Sequence, residues 1–149
     1  EKALECYSSA RAAYKASGPS PNAEYALLLQ NMGACYIELD RRDEGMQLYL
    51  ESQAAFEAVN AMSTPMYAAL LHNMGASHDA EGDIDAAMKY FRAAKHAYQA
   101  AGADSTPEYA GLLSSMGSCH ANNGNKKEAK DLYNSAKEFH ETAGTIETP

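Results

Sequence analysis

One interval governs this sequence: 42 residues. The pairs Met32-Gly33, Met74-Gly75 and Met116-Gly117 recur at it, as do Tyr25, Tyr67 and Tyr109 and the leucine pairs Leu28-Leu29, Leu70-Leu71 and Leu112-Leu113. The aromatic series Tyr7, Tyr49, Phe91, Tyr133 and the turn series Gly18, Asn60, Gly102, Gly144 carry it through the whole chain. A period of this size marks a stack of supersecondary units, each too small to bury its apolar face without its neighbours.

Within a unit the apolar residues are spaced for helices. Tyr25, Leu29, Met32 and Tyr36 run at i, i+4, i+7 and i+11, and Gly45, Tyr49, Ser52 and Phe56 repeat the pattern, so each unit holds two helices, A then B. Thr64-Pro65 and Thr106-Pro107 place a capping hydroxyl before a proline whose missing N–H costs nothing at the first helical position. Gly82 and Gly124 end the A helices, Asn125 with Glu128 forms a capping-box pattern, and the Gly18/Asn60/Gly102/Gly144 series supplies left-handed residues that end the B helices. The predicted helices cover about 1–17, 22–39, 43–59, 64–81, 84–101, 106–122 and 126–143. Small residues mark where A and B approach: Gly33, Gly75 and Gly117 on A, and Ala3, Gly45, Ala87 and Ala129 on B.

The order Leu29, Met32-Gly33, Tyr36 on helix A, followed by Ala87, Phe91 and Ala94 on helix B, resembles the tetratricopeptide signature. That repeat usually has about 34 residues. The longer form, with proline opening helix A and "LLQNMG", "LLHNMG" and "LLSSMG" inside it, is similar to the repeats of kinesin light chains. The resemblance implies an all-α, right-handed superhelical solenoid of seven helices in antiparallel pairs. Departures are His78 and His120 where Tyr36 stands, Asp40 for the turn glycine, and Asn22-Ala23 for Thr-Pro. By register the chain holds a partial repeat at 1–18, repeats at 22–60, 64–102 and 106–144, and the start of a further one at 148–149, as expected of a fragment cut from a longer array without polar capping units.

Composition narrows the partners. Twelve Lys and Arg stand against 20 Asp and Glu, a net charge of -8 that disfavours nucleic acid and anionic membrane. Apolar runs such as Tyr67 to Leu71 fall far short of a bilayer span, and no signal peptide is visible. Cys6, Cys35 and Cys119 have no ligand spacing, so they read as small, semi-buried residues of a cytoplasmic protein. His72, His78, His96, His120 and His140 include no i, i+4 pair for a metal, and His78 and His120 read as core histidines. No nucleophile has a base at a usable spacing. Neither catalysis nor a cofactor or metal is expected.

In such arrays the A helices line the concave face. The resemblance therefore places groove residues at Leu27, Gln30, Asn31, Ala34, Ile37 and Glu38, then Ala69, His72, Asn73, Ala76, Asp79 and Ala80, then Gly111, Ser114, Ser115, Ser118, Ala121 and Asn122. Asn both donates and accepts, so an Asn31/Asn73 ladder suits the backbone of an extended peptide, as matching asparagines do in kinesin light chains. The alternative is that these asparagines cap or bridge within the helix stack. No Lys or Arg lies in 22–39, 64–81 or 106–123, so the A helices offer no fixed cation for an acidic or carboxy-terminal ligand. The basic residues fall on B helices and turns, as in Arg41-Arg42 and Lys126-Lys127, where a solvated outer face is expected. The reading is a protein-interaction module, adaptor or scaffold, holding a neutral or basic segment of a partner. Its rivals are a scaffold that self-associates through uncapped ends, and a regulatory segment of a larger signalling protein or ATPase.

Overall fold

The computed structural model describes residues 2–16 and 22–146. Every regular element among them is helical: α1 (Lys2–Ala16), α2 (Ala23–Glu38), α3 (Arg42–Ala58), α4 (Pro65–Glu81), α5 (Ile84–Ala100), α6 (Pro107–Asn122) and α7 (Lys126–Ile146). The all-α, seven-helix expectation therefore holds. Glu1, the stop at Gly18 and the further start at Thr148-Pro149 lie outside the described residues.

The tightest pairs are α2 with α3, α4 with α5, and α6 with α7, each an A helix with its own B. Looser contacts join α1 to α2, α3 to α4 and α5 to α6. The backbones of α2 and α4, and of α4 and α6, also approach one another, whereas among the described residues those of α1, α3, α5 and α7 do not. Helices that converge on one side and diverge on the other make a curved stack, with the A helices on the inner, concave side.

The capping chemistry starts each A helix where the sequence places it. Asn22, Thr64 and Thr106 hold extended backbone, and their side-chain oxygens accept from Tyr25 N (2.7 Å), Tyr67 N (3.3 Å) and Tyr109 N (3.3 Å). Both threonines also donate back, to Ala61 O and Ala103 O, tying the new helix to the end of the previous one. Asp40 takes the left-handed turn position at φ 60°, matching Gly82 at 79° and Gly124 at 78°. Asn60 (54°) and Gly102 (64°) end the B helices, closed by bonds from Ala61 N to Phe56 O and from Ala103 N to Tyr98 O.

One local expectation fails: Gly144 does not end α7, which continues to Ile146. The side-chain amide nitrogen of Asn125, just ahead of α7, lies 3.4 Å from His120 Nδ1 and links that start to the preceding helix.

Where A meets B the small residues leave no slack. A Cβ on Gly33 would stand 2.7 Å from the Tyr49 ring and 2.9 Å from the carbonyl oxygen of Gly45, and one on Gly75 would stand 2.6 Å from Phe91. Ala87 and Ala129 are buried opposite. Around these contacts Phe56, Leu70, Met74, Phe91, Tyr98 and Leu112 are almost wholly enclosed, each contributing about 1.5–3 kcal/mol of apolar burial. Ser52, fully buried, satisfies its hydroxyl by donating to Ala26 O at 2.6 Å.

The cysteines and histidines differ in part from expectation. Cys35 is half-buried, but Cys119 is fully buried and Cys6 exposed. His78 and His120 are half-buried at the helix ends rather than in the core, because the turn leaves them on its rim. His78 stacks on Tyr90 (5.4 Å, 7° between planes), with Nδ1 3.9 Å from a Glu81 oxygen and 4.0 Å from an Asp83 oxygen.

Candidate functional site on the concave face

The inner surface carries two cavities, one at each junction between A helices. The first, about 250 Å³, lies between α2 and α4 and is lined by Ala34, Ile37, Glu38, Arg42, Tyr49, Asn73, Ala76, Ser77 and Ala80. The second, about 380 Å³, lies between α4 and α6 and is lined by Ala76, Asp79, Ala80, Phe91, Ser114, Ser115, Ser118 and Tyr133. Ala76 and Ala80 border both, one helical turn apart on α4, so the two cavities form one groove across the A helices.

Of the residues that the sequence places here, the structure gathers Ala34, Ile37, Glu38, Asn73, Ala76, Asp79, Ala80, Ser114, Ser115 and Ser118. Asn73 lines the first cavity and is half-buried, while Asn31 is exposed on α2 and borders neither. Leu27, Ala69 and Gly111 are half-buried, and Ala121 and Asn122 exposed, all outside the two cavities.

Gln30 and His72 line neither cavity. Gln30 is only 6% exposed, with a side-chain oxygen that has no hydrogen-bond partner, and His72 joins Ser115 Oγ through Nε2 at 2.9 Å. Their shared repeat position sits where neighbouring A helices meet, which takes it out of the open groove. Burial lowers the His72 pKa and favours the neutral ring, whose edge also meets Phe91 at 5.8 Å.

The sequence reading missed Arg42, Tyr49, Ser77, Phe91 and Tyr133. No A helix carries a cation, yet Arg42 reaches into the groove from the start of α3. Its Nη1 donates to Ser77 O at 2.6 Å and its Nε lies 3.6 Å from Glu81. It is half-buried, not on a solvated outer face. The signal was a break in the period: Arg42 aligns with Ile84 in the next unit and with Lys126 in the one after, so the unit between them lacks the cation. Tyr49, Phe91 and Tyr133 are one repeat position, at 3%, 0% and 41% exposure; the next A helix covers the first two. Burial, with Glu38 and Cys35 nearby, pushes the Tyr49 hydroxyl up to about 12, so it stays neutral.

In the second cavity Asp79 is the one ionisable carboxylate among the lining residues, and no lysine or arginine lines it. Its Oδ1 is buried. Burial, then a hydrogen bond to Asp79, pushes the Cys119 thiol behind this cavity up to about 11, so it stays protonated and unreactive. Among the described residues no group of three or more His, Cys, Asp or Glu is placed to hold a metal, and no helix is long and apolar enough to cross a membrane.

No protein-family model and no curated protein matches the chain. Solved structures do. The chain is similar to the crystal structure of BtubC (BKLC) from P. vanneervenii, with TM-score 0.84 and 18% identity over 98% of this chain. It spans 58% of that protein's length. It is also similar to a putative kinesin light chain with nearly identical TPR-like repeats from Podosopora anserina, with TM-score 0.56 and 14% identity over 97% of this chain and 88% of that one. The helix order, the inner layer of A helices and these likenesses together define a helical-repeat protein. Its fold is the tetratricopeptide-like helical repeat.

Proposed function

We propose that this chain is an adaptor module that holds an extended, neutral or basic segment of a partner protein along the concave groove, with no catalytic step and no cofactor. The observation that carries the reading is the groove itself: two cavities joined through Ala76 and Ala80, walled by aromatic rings and by serine, asparagine and aspartate side chains. Apolar walls with a few convergent polar groups are what a bound segment requires. Asn73 offers a donor and an acceptor to a peptide backbone, and Asn31 extends the row on the exposed face of α2.

The test uses linear peptides selected by display against the protein. Calorimetric titration should show weaker binding to the Asn31→Ala/Asn73→Ala double variant, by about 1 kcal/mol for each neutral hydrogen bond lost, with helicity unchanged. Unchanged affinity would move binding off this face. A second reading, self-association as a scaffold, rests on Tyr133, 41% exposed where its counterparts Tyr49 and Phe91 are covered. Sedimentation that gives a concentration-dependent mass for the wild type and a monomer for Tyr133→Ser would favour it.

A further inference from the structure

The two cavities of the groove are chemically unlike, and the difference comes from one side chain. In the first, Arg42 is already in place, donating to Ser77 O and facing Glu81. In the second, the repeat-equivalent of Arg42 is Ile84, and no cation enters from either helix layer. The polar groups that remain can all accept. Ser114 donates its proton to Ala110 O at 3.1 Å, while Ser115 pairs with His72 Nε2 at 2.9 Å and Ser118 with the Tyr133 hydroxyl at 3.0 Å, either partner being able to donate. Each of these serine oxygens keeps accepting capacity. Asp79 adds a carboxylate whose Oδ1 is out of solvent and whose neighbouring donor is the weak Cys119 thiol, so a stronger donor or a cation that reaches the group is favoured.

We infer that the cavity between α4 and α6 is a subsite for one basic side chain, lysine or arginine, of the bound partner segment, with Asp79 as its counter-charge. A donor-only cationic head matches a site whose one charged lining group is a carboxylate and whose hydroxyls can accept, as an anion would not. Its aliphatic stem has Ala76 and Ala80 to lie along, and the exposed ring of Tyr133 suits a guanidinium or ammonium. The volume of about 380 Å³ admits such a side chain together with some of its own backbone. Arg42 in the neighbouring cavity is the intramolecular precedent: an arginine held on this face by a backbone carbonyl and a carboxylate. The inference deepens the proposed function by naming what one of the two cavities selects.

The experiment is an NMR titration of the labelled protein with N-acetyl-arginine methylamide and N-acetyl-lysine methylamide, each against N-acetyl-citrulline methylamide, which keeps the shape of arginine without the charge. The expected result is saturable shifts centred on Asp79, Ser115 and Ser118 for a basic probe and none for citrulline. The isosteric Asp79→Asn variant should weaken binding about tenfold or more, as loss of a charge-assisted bond requires, while its amide spectrum stays dispersed. Shifts scattered over the acidic surface, equal shifts with citrulline, or full binding to Asp79→Asn would each overturn the subsite. Failure here is distinguishable from failure of the adaptor reading: display-selected peptides that still bind the groove but show no enrichment in Lys or Arg would sink only the subsite.

Discussion

A methyl group added to helix A tests the helix packing directly, because four glycines give the same substitution four different surroundings. Gly→Ala in a helix interior gains about 1 kcal/mol from backbone propensity alone. At Gly111 a Cβ meets nothing within 4 Å, so that gain should appear undiminished. At Gly33 the same Cβ lies 2.7 Å from the core ring of Tyr49 and 2.9 Å from the Gly45 carbonyl oxygen, about 1 Å inside normal contact. Neither can retreat: Tyr49 is 3% exposed and the oxygen belongs to α3. Overpacking of about 3 kcal/mol against the propensity gain leaves a net loss of about 2 kcal/mol. Gly75 should follow closely, its Cβ standing 2.6 Å from Phe91 and 3.2 Å from the Ala87 carbonyl oxygen. Gly117 should be near neutral, since its neighbour, at 2.9 Å, is the ring of Tyr133, exposed enough to swing aside. Thermal unfolding by circular dichroism reads the series: Gly111→Ala about 2–4 °C above wild type and Gly33→Ala about 4–8 °C below. Gly33→Ala as stable as wild type would refute the close approach of α2 to α3.

Two further perturbations follow from the turns and from the groove. Asp40 holds φ 60° where the other repeats have glycine, so Asp40→Gly should raise stability by up to about 1 kcal/mol in urea titration, and a loss would argue against the left-handed turn. Burial lowers the His72 pKa below 6.5, so the unfolded chain takes up that proton first. The neutral ring's contribution is present above about pH 6.5 and declines as pH falls below it, and His72→Gln should flatten that part of the stability profile. An identical acid slope in His72→Gln would contradict the burial.

Much of the fold could be read from the 42-residue period because the contacts that repeat are those between adjacent units, and the same residue types solve them each time. Thr64 and Thr106 cap, Gly33 and Gly75 admit the partner helix, and Asp40 stands in for Gly82 at the same turn. The groove was less legible for the opposite reason: its character lies in what does not repeat. Arg42 enters from a B helix, and the next unit has Ile84 at its position. Gln30 and His72 occupy a helix face that points inward, yet the neighbouring A helix encloses Gln30 and bonds His72 through Ser115. Tyr49, Phe91 and Tyr133 line the cavities from one repeat position, yet the first two are buried and the third is exposed, a difference the period does not show.

The concave face as the binding surface is tested most directly by filling it. Ala76 is exposed and borders both cavities, so Ala76→Trp occupies the groove without touching the core. Peptides selected by display on the wild type should lose more than about tenfold in affinity for Ala76→Trp by fluorescence anisotropy, the cost of displacing several groove contacts. They should bind the Arg92→Trp control, exposed on α5, as they bind the wild type. Equal affinity for Ala76→Trp and wild type would contradict the account, because a segment held between α2, α4 and α6 has no path around that side chain.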